Sequence, residues 1–115
     1  MDEKEDILEL LEEIRNKNLL VLVEGIKDKR ALSKLGIGRI KTLNKPLFEI
    51  VEDIAATEKE IALLVDLDIE GKKLYSKLST DLQKHKVKIN NKLRNFLFKT
   101  PIRHIEGLAS YLSDE

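Results

Sequence analysis

A chain of 115 residues, 42% hydrophobic and 37% charged, is long enough for one buried core and too short for two, and its apolar share excludes disorder. It has no cysteine and two histidines, which excludes disulfides and thiolate metal sites and argues against structural zinc. Its longest apolar runs are about five residues, too short for a membrane span or a secretory h-region, so a cytoplasmic protein without a membrane partner is expected. The 21 basic and 21 acidic residues cancel in sum but not in place. Residues 2–13 hold seven acids against Lys4 alone, whereas Lys84, Lys86, Lys88, Lys92, Arg94, Lys99 and Arg103 accumulate in the acid-free stretch between Asp81 and Glu106. Such asymmetry allows a basic face to meet phosphates on a neutral protein.

Residues 3–17 read as an amphipathic helix, with Ile7, Leu10, Leu11 and Ile14 on one side. It is expected to pack on a domain spanning 18–115. Leu19 to Val23 reads as a first strand, and Gly25 as a turn. A helix from Asp28 to Leu35 turns Ala31, Leu32 and Leu35 inward and stops at Gly36 and Gly38. Arg39 to Leu43 alternates as a second strand. Pro46 opens a helix with Leu47, Ile50, Val51 and Ile54 as its buried stripe. Ile61 to Val65, the most apolar run, reads as a central third strand. A long helix follows from about Glu70 to Lys84, with Leu74, Leu78 and Leu82 on one side. Lys86 to Ile89 reads as a fourth, edge strand and Asn90 to Phe98 as a helix. After Pro101, Ile105, Leu108, Ala109 and Leu112 mark a last helix. This alternation predicts an α/β domain of Rossmann-like plan, with about four mainly parallel strands between two helical layers.

Two of these strands end at carboxylates followed by glycine: Val21-Leu22-Val23-Glu24-Gly25, and Ile61 to Val65 followed by Asp66-Leu67-Asp68-Ile69-Glu70-Gly71. Open α/β sheets keep their active sites at the carboxyl ends of parallel strands. Acids gathered there repel one another unless a cation sits among them.

Val23-Glu24-Gly25-Ile26-Lys27-Asp28, followed by Ala31-Leu32 and Gly36, is similar to the first motif of primase-type Toprim domains. Asp66-Leu67-Asp68-Ile69-Glu70-Gly71 resembles the DxDxxG motif of the same family and its DxDxEG form in type IA topoisomerases. The resemblance spans roughly residues 18 to 105 and implies the Toprim fold. It implies Glu24 as general acid or base and Asp66 and Asp68 as ligands of Mg2+, for which Mn2+ substitutes, with Glu70 as a third ligand. The chain holds no topoisomerase tyrosine domain and no primase zinc-binding region, so it looks closest to the nuclease-like, ribonuclease M5-type members. The alternative is a nucleic-acid-binding or assembly module that keeps the metal site without chemistry.

The spacing suits that chemistry. Two residues apart on an extended segment, Asp66 and Asp68 share a side, about 6.6–7 Å apart, and a neighbouring Glu24 strand arrives about 4.8 Å away. A hard divalent ion that keeps waters and takes phosphate oxygens fits such a gap. Gly25 and Gly71 would let phosphate approach the backbone, and Lys27 and Lys72 either hold it as point charges or form a solvated helix surface. Lys86, Lys88, Lys92 and Arg94 are the candidate contacts to RNA or DNA. Asp28 reads as a helix N-terminal residue, His104 as a structural or surface histidine, and Tyr75 and Tyr111 as packing.

Overall fold

Strand–helix alternation dominates the molecule, whose computed structural model describes residues 2–113. In chain order the elements are α1 (Glu3–Asn16), β1 (Leu20–Val23), α2 (Ile26–Lys34), β2 (Ile40–Thr42), α3 (Leu47–Thr57), β3 (Glu60–Leu63), α4 (Ile69–Lys84), β4 (Lys88–Asn90), α5 (Lys92–Leu97), a 3₁₀ turn (Ile105–Gly107) and α6 (Leu108–Ser113). The strands form one sheet of order β2-β1-β3-β4. Every pairing is parallel: Val21 faces Ile40 and Ala62, and Ile61 faces Ile89. The α/β class read from the sequence is therefore the observed one, with β3 inside the sheet.

Handedness explains the layers. The β1-to-β2 connection moves outward in one direction, whereas β2-to-β3 and β3-to-β4 move in the other. Right-handed crossovers then put α2 on one face and α3 and α4 on the opposite face. The cores agree. Val21, Val23, Ala62 and Leu64 pack against Ile7, Leu11 and Ile14 of α1, Leu32 of α2, Leu93 and Leu97 of α5, and Leu108 of α6. The alternate residues Leu22, Ile61, Leu63 and Val65 pack against Ile50, Val51 and Ile54 of α3 and Leu78 and Leu82 of α4. The helix of residues 3–16 thus belongs to the same core as the sheet. Among the described residues no helix is long and apolar enough to cross a membrane.

Three helices end in the same way. Asn18 (φ 53°), Gly36 (φ 85°) and Lys86 (φ 66°) adopt left-handed backbone just past α1, α2 and α4. In each, the next N–H reaches back to the helix: Leu19 to the Ile14 carbonyl, Ile37 to Leu32 and Val87 to Leu82, at 3.0–3.1 Å. This closure satisfies the terminal carbonyls and turns the chain toward the following strand. Each returning residue, Leu19, Ile37 or Val87, is apolar and buried. The turn at Lys86 also explains a boundary shift. Residues 86 and 87 complete the helix end, so the edge strand starts at Lys88 rather than Lys86. Asn90 closes that strand, its side chain accepting from Lys92 N–H at 3.2 Å, and α5 begins only at Lys92.

Candidate metal centre

The strand order creates one position at which chain connections diverge. After β1 the chain turns toward β2, and after β3 toward β4, which leaves a crevice beyond their carboxyl ends, where open α/β sheets bind ligands. Glu24 ends β1, and Asp66 and Asp68 follow β3. The two segments are locked together, since the Asp66 N–H donates to Glu24 Oε2 at 2.9 Å.

Each aspartate has one oxygen committed to the backbone. Asp66 Oδ1 accepts from Ile105 N–H at 2.8 Å. Asp68 is the N-cap of α4, and its Oδ1 accepts from Gly71 N–H at 2.8 Å. The buried Leu67 between them turns inward, and its N–H donates to the Arg103 carbonyl at 2.8 Å. The remaining oxygens converge on a third donor. His104 Nδ1 lies 3.5 Å from Asp66 Oδ2 and 3.8 Å from Asp68 Oδ2. Together Asp66, Asp68 and His104 offer ligand atoms all within 4.8 Å of one another. Ligands held about 2.1 Å from a shared ion stand roughly 3–4 Å apart, so small side-chain shifts would close this set on a divalent cation. The two carboxylate oxygens suit Mg2+ or Mn2+, and the imidazole nitrogen moves the preference from Mg2+ toward transition ions.

Glu24 stands beside this group rather than in it, with one oxygen held by the Asp66 N–H. Burial pushes its carboxyl above the ordinary carboxylate range, aided by the charges of Asp66, Asp28 and Asp68 and opposed by the Asp66 N–H. Burial also raises Asp28, which is 7% exposed and accepts from Gly25 N–H at 3.0 Å. Asp28 therefore caps α2 from within its first turn.

Behind the site lies Arg94, 3% exposed. Its Nε donates to the Val65 carbonyl at 3.0 Å and its Nη2 to the Asp66 carbonyl at 2.8 Å. The guanidinium stacks over Tyr75, 4.4 Å from the ring centre, and over Phe98 at 5.2 Å. The expected nucleic-acid contact at Arg94 is thus corrected: the residue is a buried clamp on the peptide that carries Asp66. Its place between Leu93 and Leu97 on the inward face of α5 is a signal the sequence did contain.

Other expected site residues separate likewise. Glu70 points to solvent and pairs with Lys73 at 3.9 Å, outside the Asp66–Asp68–His104 group. Both glycine N–H groups are already held, Gly25 by Asp28 and Gly71 by Asp68. Gly71 serves internal packing, since a methyl there would stand 2.0 Å from the Asp66 carbonyl oxygen. Nothing lies within 4 Å of the corresponding point at Gly25, and its φ of −150° suits any residue. Lys27 is exposed in the first turn of α2. Lys72 sits 5.5 Å over the Phe98 ring. Lys92 pairs with Glu13 at 3.0 Å. Lys86 and Lys88 are exposed at the opposite end of the sheet: Lys88 pairs in register with Glu60, six residues before Asp66 and so about 20 Å away along the strand. His104 was not singled out from the sequence as a ligand. It lies 36 residues after Asp68, and only the return of the chain past Pro101 brings it to the site.

No family model matches the chain. A UPF0292 protein of Methanocaldococcus jannaschii is 32% identical over 117 residues, covering 95% of this chain and 91% of that one. A UPF0292 protein of Methanosarcina barkeri is 34% identical, covering 95% and 80%, and one of Thermococcus sibiricus is 34% identical, covering 87% and 80%. A solved structure described as a putative protein from Aquifex aeolicus has the same α/β fold, with a TM-score of 0.80 and 31% identity over 89% of this chain and 94% of that chain. With identity above 30% sustained over most of both lengths, the chain belongs to the UPF0292 protein family.

Proposed function

We propose that this is a cytoplasmic, Toprim-type protein that uses Mg2+, or Mn2+ in its place, for nuclease-like chemistry on the phosphodiesters of RNA or DNA. One observation carries the reading: Asp66 and Asp68 turn one oxygen each toward a common point with His104, directly beside the Glu24 carboxylate. When bound, the ion would neutralise charge developing on phosphate and lower the pKa of an attacking water. Asp66 and Asp68 would hold it, with His104 as a nitrogen donor. Glu24, raised by burial, would accept the proton of that water. Arg94 and the Ile105 N–H keep Asp66 in position.

The test has two readouts. Thermal unfolding with and without Mn2+ should show stabilisation of about 2.7 kcal/mol at a hundredfold excess over Kd. Asp66→Asn should abolish it, and Glu70→Gln should leave it intact. Incubation with structured RNA and DNA should give Mg2+-dependent cleavage that Glu24→Gln removes. Cleavage surviving both Glu24→Gln and Asp66→Asn would overturn the reading.

A second reading, a nucleic-acid-binding or assembly module without chemistry, draws support from the backbone N–H groups at the rim. Those of Gly25, Asp66 and Gly71 all donate to carboxylates of the protein, so these three are not open to phosphate. Salt-sensitive binding without turnover would favour it.

A further inference from the structure

We infer that a groove between α2 and α6 carries the sugar–phosphate backbone of a single-stranded nucleic acid to the acidic site; this rests on the nucleic-acid reading above. Lys27, Arg30 and Lys34 stand at i, i+3 and i+7, one stripe of α2 about 10 Å long. They line a groove of about 360 Å³ whose other wall includes Glu106 and Ser110. The side chains of the three cations form no ion pair or hydrogen bond with another described residue. Seven of the other cations pair with carboxylates, namely Lys17, Arg39, Lys41, Lys45, Lys73, Lys77 and Lys92, and Lys29 and Lys59, though exposed, do not line this groove.

Three uncompensated positive charges on one helical stripe repel one another, and a row of phosphates is the ligand that reverses the sign of that term. The stripe also has direction. Lys27 lies three residues after Glu24, in the turn that opens α2 at the crevice, so a strand lying along α2 leads from Lys34 to the acids. The tract between Asp81 and Glu106 lacks this geometry. Arg94 is buried, Lys92 is paired, Lys99 lies over Phe96, and Arg103 donates to the Thr100 and Ile102 carbonyls. The exposed Lys84, Lys86 and Lys88 gather at the end of the sheet opposite the acids. Glu106, facing the α2 cations across the groove, moderates the attraction.

The test measures fluorescence anisotropy of the full chain with labelled single strands of about 20 nucleotides, across a salt series in EDTA, so that neither the cation nor cleavage contributes. K27A/R30A/K34A should weaken binding at least tenfold and reduce the log–log salt slope by about 2, near 0.7 per lost phosphate contact. Glu106→Gln should tighten binding, and K84A/K86A/K88A should change it less than twofold. Unchanged binding by the α2 triple variant, or loss confined to the K84A/K86A/K88A variant, overturns the groove and leaves the metal reading standing. No binding by the unmodified chain also overturns the groove, while Mn2+ stabilisation reports separately on the acids. Competition by polyglutamate as strong as by nucleic acid would overturn it too, assigning the stripe to an acidic protein.

Discussion

Replacing Gly71 by alanine tests whether the site is built by close approach of backbone to backbone. A methyl at this position would stand 2.0 Å from the Asp66 carbonyl oxygen and 2.4 Å from its carbon, so one segment must retreat by more than 1 Å. If the start of α4 moves, the Asp68 cap on Gly71 N–H is lost, at about 1 kcal/mol. If instead the Asp66 peptide moves, its bond from Arg94 is lost, at roughly 1.5–3 kcal/mol for a charged donor. Overpacking adds about 1–3 kcal/mol in either case. The expected loss is therefore about 2–6 kcal/mol, which lowers Tm by roughly 8–24 °C in a domain of this size. Urea denaturation and thermal unfolding measure it directly. Because both routes shift an aspartate, Mn2+ affinity should also fall about 10- to 100-fold. Gly25→Ala is the internal control. The added methyl meets nothing within 4 Å, so a cost below about 1 kcal/mol is expected. Equal stabilities for the two variants would refute the close-approach account.

Arg94→Ala should cost about 3–5 kcal/mol in urea denaturation, because it leaves the Val65 and Asp66 carbonyls without their donor and removes the stack on Tyr75. Arg94→Lys should recover less than half of this, since a single ammonium cannot reproduce the planar fork; a loss under about 1 kcal/mol for Arg94→Ala would refute the clamp. The Arg39–Glu58 pair predicts a pH effect. Bonds from Arg39 hold the Glu58 carboxyl below its ordinary value, against a smaller opposing effect of burial, and the contact is 2.8 Å. A depressed folded-state pKa stabilises the protein above the unfolded pKa, and that stability is lost as pH falls through the folded value. Arg39→Ala should therefore lower stability by about 0.5–1 kcal/mol at pH 7, and the part due to Glu58 should be lost below about pH 4, leaving the pH-independent part from the 2.7 Å bond to the Asn18 carbonyl. A difference that stays constant with pH would show that the arginine contributes through its bond to the Asn18 carbonyl and packing instead.

What the sequence discloses about this protein depends on how local each cause is. The runs ending at Glu24 and Asp66 are legible because parallel strands buried on both faces need continuous apolar residues, and each run stops abruptly at a carboxylate. The α2 stop is equally legible, because the left-handed position falls on Gly36. At the end of α4 the same position falls on Lys86, which carries no such signal, so the sequence places the strand start two residues early. Asp28 could be read as a helix-start residue because a capping acid three residues into a helix is a local pattern. Arg94 and His104 obey tertiary causes instead. One is buried by α5 turning its Leu93–Leu97 face inward, and the other reaches the acids through a chain return that no short spacing encodes. The two motif glycines look alike in sequence, and their difference emerges only where α4 crosses the Asp66 peptide.

The shared closure of α1, α2 and α4 divides the molecule's tolerance to change. At that pole three of the four helix-to-strand reversals bury an aliphatic anchor, so drift in Leu19, Ile37 or Val87 would be felt throughout the hydrophobic interior. The far pole is shaped by carboxylates acting as local staples, and its loops can be altered without disturbing those anchors. Substitutions between the staples leave the anchors in place, whereas loss of an anchor unseats a helix from the strand it feeds.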